Sequence, residues 1–428
     1  MNGYPQTPTE SKAAKMTTEQ AASEPILFNP FDPSFRSDPY PVYQRLREES
    51  PVHHSPLGFF VLTRYEDCAS LLRDSRVSND FTNSTAAMEE AAKQGIDLEQ
   101  LASENTRPFL FMDPPDHTRL RSLVSKAFTP RVVEGLRPRA QQIVDRLLDA
   151  AMARGEIDVI ADLAYPLPVT IISEMLGVPA EDHEVFQGWS REMARSLDPD
   201  FVLPADVLER RQQAGAEFAE YFRALIAKRR LDMRDDLVSA LIAAEDGGQT
   251  LSENELLSTC ILLLIAGHET TVNLIGNGML ALLRHPEQMA RLRDDPSLIK
   301  TAVEELLRFD PPVQLTGRTA REDIPLSDGV LPAGQQAIML LGAANRDPRQ
   351  FEEPDRLDLA REDNRHLAFG MGIHFCLGAP LARIEGQIAI GEMTRRLGSP
   401  ELMVAAPEYK ENVTLRGLAS LPVRFSAN

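Results

Sequence analysis

Phe369-Gly370-Met371-Gly372-Ile373-His374-Phe375-Cys376-Leu377-Gly378 is the stretch whose reading decides the fold. Three glycines, at 370, 372 and 378, surround one cysteine. Glycine permits tight turns and lets a flat ligand approach the backbone. The segment after it, Ala379 to Leu397, reads as a long helix, so Cys376 sits just before a helix N-terminus. There the dipole and the free N–H groups stabilise a thiolate. Phe369 and Phe375 are placed to shield the sulfur from water. A thiolate can ligate iron and push electron density toward bound oxygen. The competing reading is a buried cysteine behind a glycine turn, since free cysteine is commonly buried. Zinc would need further ligands nearby, and there is no Cys-x-x-Cys. A cysteine nucleophile needs a matched base, for which His374 alone is thin evidence.

Upstream, Ser252 to Arg284 carries the longest helical pattern. Ser252 with Glu255 makes a capping-box start. Leu256 to Ile265 is apolar on nearly every side, so this helix runs through the middle of the fold. It contains Ala266-Gly267-His268-Glu269-Thr270-Thr271. A mid-helix glycine costs about 1 kcal/mol, a cost justified by a flat ligand or dioxygen pressed against the backbone. The Thr270 hydroxyl can open the helix ladder and make room for water. Glu269 supplies an acid beside that alcohol. On its own this pair also reads as a surface acid and a packing threonine, and His268 reads as non-catalytic. Glu305 and Arg308, three apart, share a helix face, an arrangement that is usually a solvated ion pair.

The rest of the chain reads mainly as helix with short strands. Helices are predicted over 41–49, 65–72, 117–128, 131–154, 163–176, 180–196, 205–231 and 297–309. A hairpin is predicted over 52–62 and short strands between 315 and 339. Residues 345–363 read as an irregular meander, and 414–425 as strand. Residues 78–108 form a long polar segment with poor periodicity, and such loops are usually functional. The first 24 residues are polar and lack the apolar core of a signal peptide. They read as a disordered tail before one domain spanning 25–428. No apolar run reaches the length of a membrane span. The formal charge of −19 argues against nucleic acid as a partner. The three cysteines, Cys68, Cys260 and Cys376, are too sparse for a disulfide framework and suit a reducing cytoplasm.

The cysteine stretch resembles the haem-binding signature of the cytochrome P-450 family, Phe-x-x-Gly-x-x-x-Cys-x-Gly. Phe369, Gly372, Cys376 and Gly378 fill every fixed position. The central helix is similar to the family's oxygen-activating motif, and Glu305 with Arg308 to its Glu-x-x-Arg element. The resemblance runs from about Phe28 to Phe425. It implies an α+β fold, mainly helical with small sheets, in which the long central helix lies over haem b.

Further roles follow from the resemblance. Cys376 is the axial iron ligand, and Glu269 and Thr270 deliver protons to bound dioxygen. Glu305, Arg308 and Arg356 brace the cysteine loop. His117, Arg121, Arg318 and His374 hold the haem propionates, while Phe369, Gly378 and Ala266 contact the macrocycle. Leu110, Phe111, Leu262, Ile265, Ala266, Leu315, Thr414 and Leu415 touch a largely hydrophobic substrate.

The resemblance is to soluble bacterial members that tailor polyketides, macrolides and terpenoids. No Gly-x-Gly-x-x-Gly is present, so a separate ferredoxin and ferredoxin reductase are expected to supply electrons. Arg119, Lys126, Arg346 and Arg365 are candidates for the docking patch, and the protein is expected to be a monomer. Three alternatives stand beside this reading: a peroxide-driven haem enzyme, a non-catalytic haem sensor or carrier, and a helical interaction protein without haem.

Overall fold

Glu253–Arg284 forms one helix of 32 residues, and the fold is assembled around it. Its start is set locally. The Ser252 side chain accepts the Glu255 N–H, and the Glu255 carboxylate accepts the Ser252 N–H at 2.8 Å. Such caps contribute about 1 kcal/mol. Its apolar residues then make it a core element: Leu256, Leu257, Leu264, Val272 and Ile275 are all buried. By length and hydropathy this helix could cross a membrane, yet 72% of its most apolar 18-residue stretch is buried inside the protein. The structure is a computed structural model that describes residues 28–30, 32–95, 107–193, 195, 197–198 and 203–427. The expected tail, residues 1–24, lies outside the described residues.

The helices Pro166–Met175, Ala205–Leu231, Ile299–Phe309 and Ala379–Arg396 pack on the central helix. Gly278 makes two of these contacts close. A Cβ there would lie 3.1 Å from Ile390 and 3.2 Å from Leu306. The helix that carries Glu305 and the helix that follows Cys376 therefore seat on the same turn of the central helix. One large apolar cluster joins all of these elements.

A five-stranded sheet flanks the helices, in the order 52–54, 60–62, 336–340, 315–320, 77–78. Val52 pairs with Leu62 in the expected antiparallel hairpin. Phe60–Leu62 then runs parallel to Gln336–Leu340, and Leu315–Ala320 antiparallel to it, so that Arg318 stands opposite Ala337. A three-stranded sheet (156–158, 422–427, 397–402) and a two-stranded one complete the β structure.

The structure departs from the sequence reading in several places, among them the unpredicted helices Leu237–Ala243 and Pro286–Asp294. The 78–108 segment, expected to be a long functional loop, holds a helix, Thr85–Gln94, capped by Ser84 and closed by Gly95 in the left-handed region at φ 67°; its residues 96–106 lie outside the described residues. Residues 131–154 form two helices, Pro130–Gly135 and Arg137–Met152, because Pro138 starts a new first turn. The last strand is only Pro422–Ala427. Thr414 and Leu415 lie in a return segment, where Leu415 bridges to Val313 and the Gln314 N–H donates to the Thr414 carbonyl.

Candidate active site

The cysteine loop is built from main-chain bonds. Cys376 N–H donates to the Phe369 carbonyl at 3.0 Å, Gly370 N–H to Leu367 at 2.9 Å, and Phe375 N–H to Gly372 at 3.1 Å. Gly370 and Gly372 take positive φ of 66° and 69°. A Cβ on Gly372 would also collide with the main-chain oxygen of Leu72. Gly372→Ala should therefore lower stability by roughly 1–3 kcal/mol. Denaturant melts of the variant check this, and an unchanged midpoint would contradict it.

Burial pushes the Cys376 thiol above its ordinary value. The N–H groups of Gly378 and Ala379, and the cations Arg121 and Arg383, pull it back. The helix start thus offsets part of the burial penalty on the thiolate, but the net shift remains upward. The phenylalanines divide. Phe369 packs under the Arg383 guanidinium, 4.5 Å from its ring centre, whereas Phe375 is 41% exposed and does not shield the sulfur as expected.

Arg121, His117, Arg318 and His374 converge on this loop from three elements. His117 is buried, and neither of its ring nitrogens has a partner; Nδ1 of His374 is likewise unpaired. The two rings lie 4.1 Å apart. Arg121 donates to the carbonyl of Phe375. Arg318 is buried, and its Nη1 donates to Asn79 Oδ1 at 2.6 Å and to its neighbour's carbonyl, Gly317, at 2.6 Å.

Burial, followed by the neighbouring His117 and Arg318, pushes His374 down to about 3. Burial pushes Arg318 down to about 10, against the pull of Asp113. Asp113 itself is spent on Ser78, the Asn79 N–H at 2.9 Å and Arg321. A largely buried cluster of cationic and orphaned groups with little negative charge is costly unless an anion completes it. A ligand carrying two carboxylates, such as the propionates of haem, fits that requirement.

On the central helix, Glu269 is nearly fully buried. Lys410 donates to its Oε1 at 2.6 Å, and His268 Nε2 lies 3.8 Å from its Oε2. The Thr270 hydroxyl donates back to the Ala266 carbonyl at 2.9 Å. Acid and alcohol are therefore adjacent in sequence but each is engaged elsewhere, as expected for consecutive residues on a helix. His268 is fully buried, bonded to Ser190 and to the Leu264 carbonyl, and burial lowers its pKa. Sequence reasoning missed Lys410 and Ser190, which approach from distant segments.

Glu305 and Arg308 are not a solvated pair. Both are completely buried, with bonds of 2.7 and 2.8 Å. Arg308 also donates to the carbonyls of Asn345, Pro354 and Arg356. The third cation is Arg361, at 3.1 Å from Glu305. Arg356 was expected there, but its side chain is exposed and pairs with Glu353 at 2.7 Å; only its carbonyl faces inward. Asn345 completes the brace, its Oδ1 accepting the Leu367 N–H at 2.7 Å just before the cysteine loop.

Among the expected substrate contacts, Leu262 and Ile265 are buried in the main cluster, with Leu110 and Ala266 packed at its edge. Phe111 is part-buried on a short turn. Leu315 instead packs with a separate cluster around Tyr43. The Thr414 hydroxyl is bonded to the Leu197 carbonyl at 3.0 Å. The four expected docking cations do not form a free patch. Arg119 pairs with Glu255, Lys126 with Asp246 and Arg365 with Asp363. Arg346 is stacked on Tyr40 and Phe309.

The Cytochrome P450 family profile matches residues 77–398. Cytochrome P450 107B1 of Saccharopolyspora erythraea is 45% identical over 93% of this chain and 97% of its own length. Cytochrome P450 monooxygenase PikC of Streptomyces venezuelae is 44% identical over 94% of this chain and 95% of its own. The polyketide biosynthesis cytochrome P450 PksS of Bacillus subtilis is 42% identical over 94% of this chain and its full length. The solved structure of PksS superimposes with a TM-score of 0.84, covering 94% of this chain. A chain that shares its fold and more than two-fifths of its residues with these proteins, over nearly its whole length, is one of their kind: it belongs to the cytochrome P450 family of monooxygenases.

Proposed function

We propose that residues 25–428 form one unit that holds haem b through the Cys376 thiolate and oxidises a largely hydrophobic small molecule of secondary metabolism. The observation that carries this reading is the cluster of buried His117 and Arg318 with part-buried Arg121 and His374 beside the cysteine loop, with ring nitrogens that no protein group satisfies. Two propionates supply the missing partners. When bound, haem supplies dioxygen binding and the one-electron steps that cleave it. The chain's own residues do the rest. A Cβ on Gly378 would meet nothing nearer than the Cys376 sulfur at 3.9 Å, and Ala266 is only part-buried at the edge of the main cluster, so small residues stand on both sides where a flat ligand would lie. Glu269 stores a proton acceptor behind Lys410, and Thr270 holds its hydroxyl on the Ala266 carbonyl. For protons to move inward, Glu269 exchanges Lys410 for a water and Thr270 turns its hydroxyl away from the helix.

Part-buried Leu110 and Phe111, backed by buried Leu262 and Ile265, make an apolar lining, which favours a lipophilic substrate. The name of PksS places that relative in polyketide biosynthesis, and a polyketide or terpenoid-like compound suits this lining. The buried, unpaired Cys68 and Cys260 suit a reducing cytoplasm. A separate ferredoxin and its reductase supply electrons.

Arg318→Leu tests the propionate assignment. The variant should bind haem at least tenfold more weakly, since a charge-assisted bond contributes about 1.5–3 kcal/mol. Haem transfer to an excess of apomyoglobin measures this, and an unchanged transfer rate would remove Arg318 from the site.

A further inference from the structure

A second ion network packs against the cysteine loop, and of its members only Arg383 has entered the account so far, as a cation near Cys376. Its centre is Glu304, next to Glu305 but directed to a different set of partners. Arg383 donates to Glu304 through Nε at 2.7 Å and Nη2 at 2.8 Å. His366 lies at 3.1 Å from the same carboxylate. The Ala368 N–H donates to His366 Nδ1 at 3.2 Å, which leaves Nε2 as the ring nitrogen facing Glu304.

Arg383 lies seven residues beyond Cys376 on the helix that the cysteine precedes. Its guanidinium sits 4.5 Å over Phe369, and the Phe369 carbonyl accepts the Cys376 N–H. Through the Phe369 ring and its carbonyl, the Arg383 guanidinium is thus placed beside the segment that carries the sulfur. Burial opposes ionisation of Glu304, but Arg383 and His366 hold its carboxyl at about 2. The pair therefore stays charged throughout the neutral range. A bidentate pair that is only partly exposed and leans on the loop's aromatic ring is more than a solvated surface contact.

We propose that the Glu304–Arg383 pair sets the reduction potential of the iron held by Cys376. Arg383 is the positioned positive charge and Glu304 the group that compensates it. This rests on the haem-thiolate reading above. The step concerned is the transfer of one electron from the donor protein to the bound iron; no proton moves and no bond is made or broken. An uncompensated positive charge near the sulfur favours the reduced side, and an uncompensated negative charge favours the oxidised side.

The test is a spectroelectrochemical titration of the haem-loaded protein. At a fixed ambient potential, Glu304→Gln should raise the reduced-to-oxidised ratio about threefold or more, and Arg383→Gln should lower it by a similar factor. The double variant E304Q/R383Q carries no lone charge, so it remains measurable even if a single variant loses haem. Its ratio should lie within about twofold of wild type, as should those of the charge-keeping variants E304D and R383K. A network that only ties the helix to the loop would lower stability without moving the potential in opposite directions. The proposal is overturned if both glutamine variants shift the same way, if neither shifts, or if the double variant departs strongly from wild type. A wild-type protein without a thiolate carbon-monoxide band would instead sink the haem-thiolate reading.

Discussion

Glu305→Ala should leave little or no folded, haem-loaded protein. Glu305 accepts from Arg308 at 2.7 and 2.8 Å, from Arg361 at 3.1 Å, from Asn364 at 3.1 Å and from the Asp358 N–H at 3.0 Å, with no exposure to solvent. Removing it strands the Arg308 guanidinium inside the protein without a counter-charge. Breaking one side of such a pair costs about 3–5 kcal/mol, a large share of a total stability of about 5–15 kcal/mol. The damage is not local. Arg308 also holds the carbonyls of Asn345, Pro354 and Arg356, and Asn345 holds the Leu367 N–H that leads into the cysteine loop.

Denaturant unfolding monitored together with the haem absorbance measures the loss. Arg361→Ala should produce a smaller decrease of the same kind. Arg356→Ala should leave the midpoint unchanged, because that side chain lies in solvent beside Glu353. The reverse order for the two arginines would restore Arg356 to the brace and contradict the arrangement described.

The second large effect concerns the acid and the alcohol of the central helix. Thr270→Ala should lower product formed per electron consumed, with the balance appearing as hydrogen peroxide. Glu269→Gln should slow product formation by about 10²–10⁴-fold, the range expected when a positioned proton donor is removed. Neither change should disturb haem loading, since the Thr270 hydroxyl serves only the Ala266 carbonyl and the Glu269 carboxylate sits against Lys410 and His268. Product, peroxide and reductant consumption, measured together, separate uncoupling from simple inactivation. Intact coupling in Thr270→Ala would remove it from the relay and revive the peroxide-driven reading.

The fold was legible where local chemistry dictates structure. The capping box at Ser252 and the apolar run after it gave the central helix to within one residue, Glu253–Arg284. The glycines at 370 and 372 gave a loop that only positive φ can close. The reading failed where tertiary contacts decide. The 85–94 helix is alanine-rich and, among its described side chains, buries only Ala91, so no run of large apolar residues marked it; only Ser84 and Gly95, a cap at each end, signalled it. The Thr414–Phe425 segment has strand-forming residues, but its first half is spent crossing over Val313 and Gln314.

The site divides in the same way. Spacing along one helix placed Glu305 with Arg308 correctly. The third arginine depends on how the meander turns back, and there Arg361, not Arg356, returns beneath Glu305. Lys410 and Ser190 bear on Glu269 and His268 from segments more than 70 residues away. No local pattern carries that information. Charge counting likewise suggested a docking patch, but a residue's charge does not reveal that it is already paired, as Arg119 and Lys126 are.

The central claim is that Cys376, as a thiolate, holds iron in haem. The most direct measurement is the absorption spectrum of the purified protein, reduced and exposed to carbon monoxide, beside that of Cys376→Ser. The account predicts a strongly red-shifted Soret band in the wild-type protein that is lost in the variant. No haem, or a band that the substitution leaves unchanged, would contradict it.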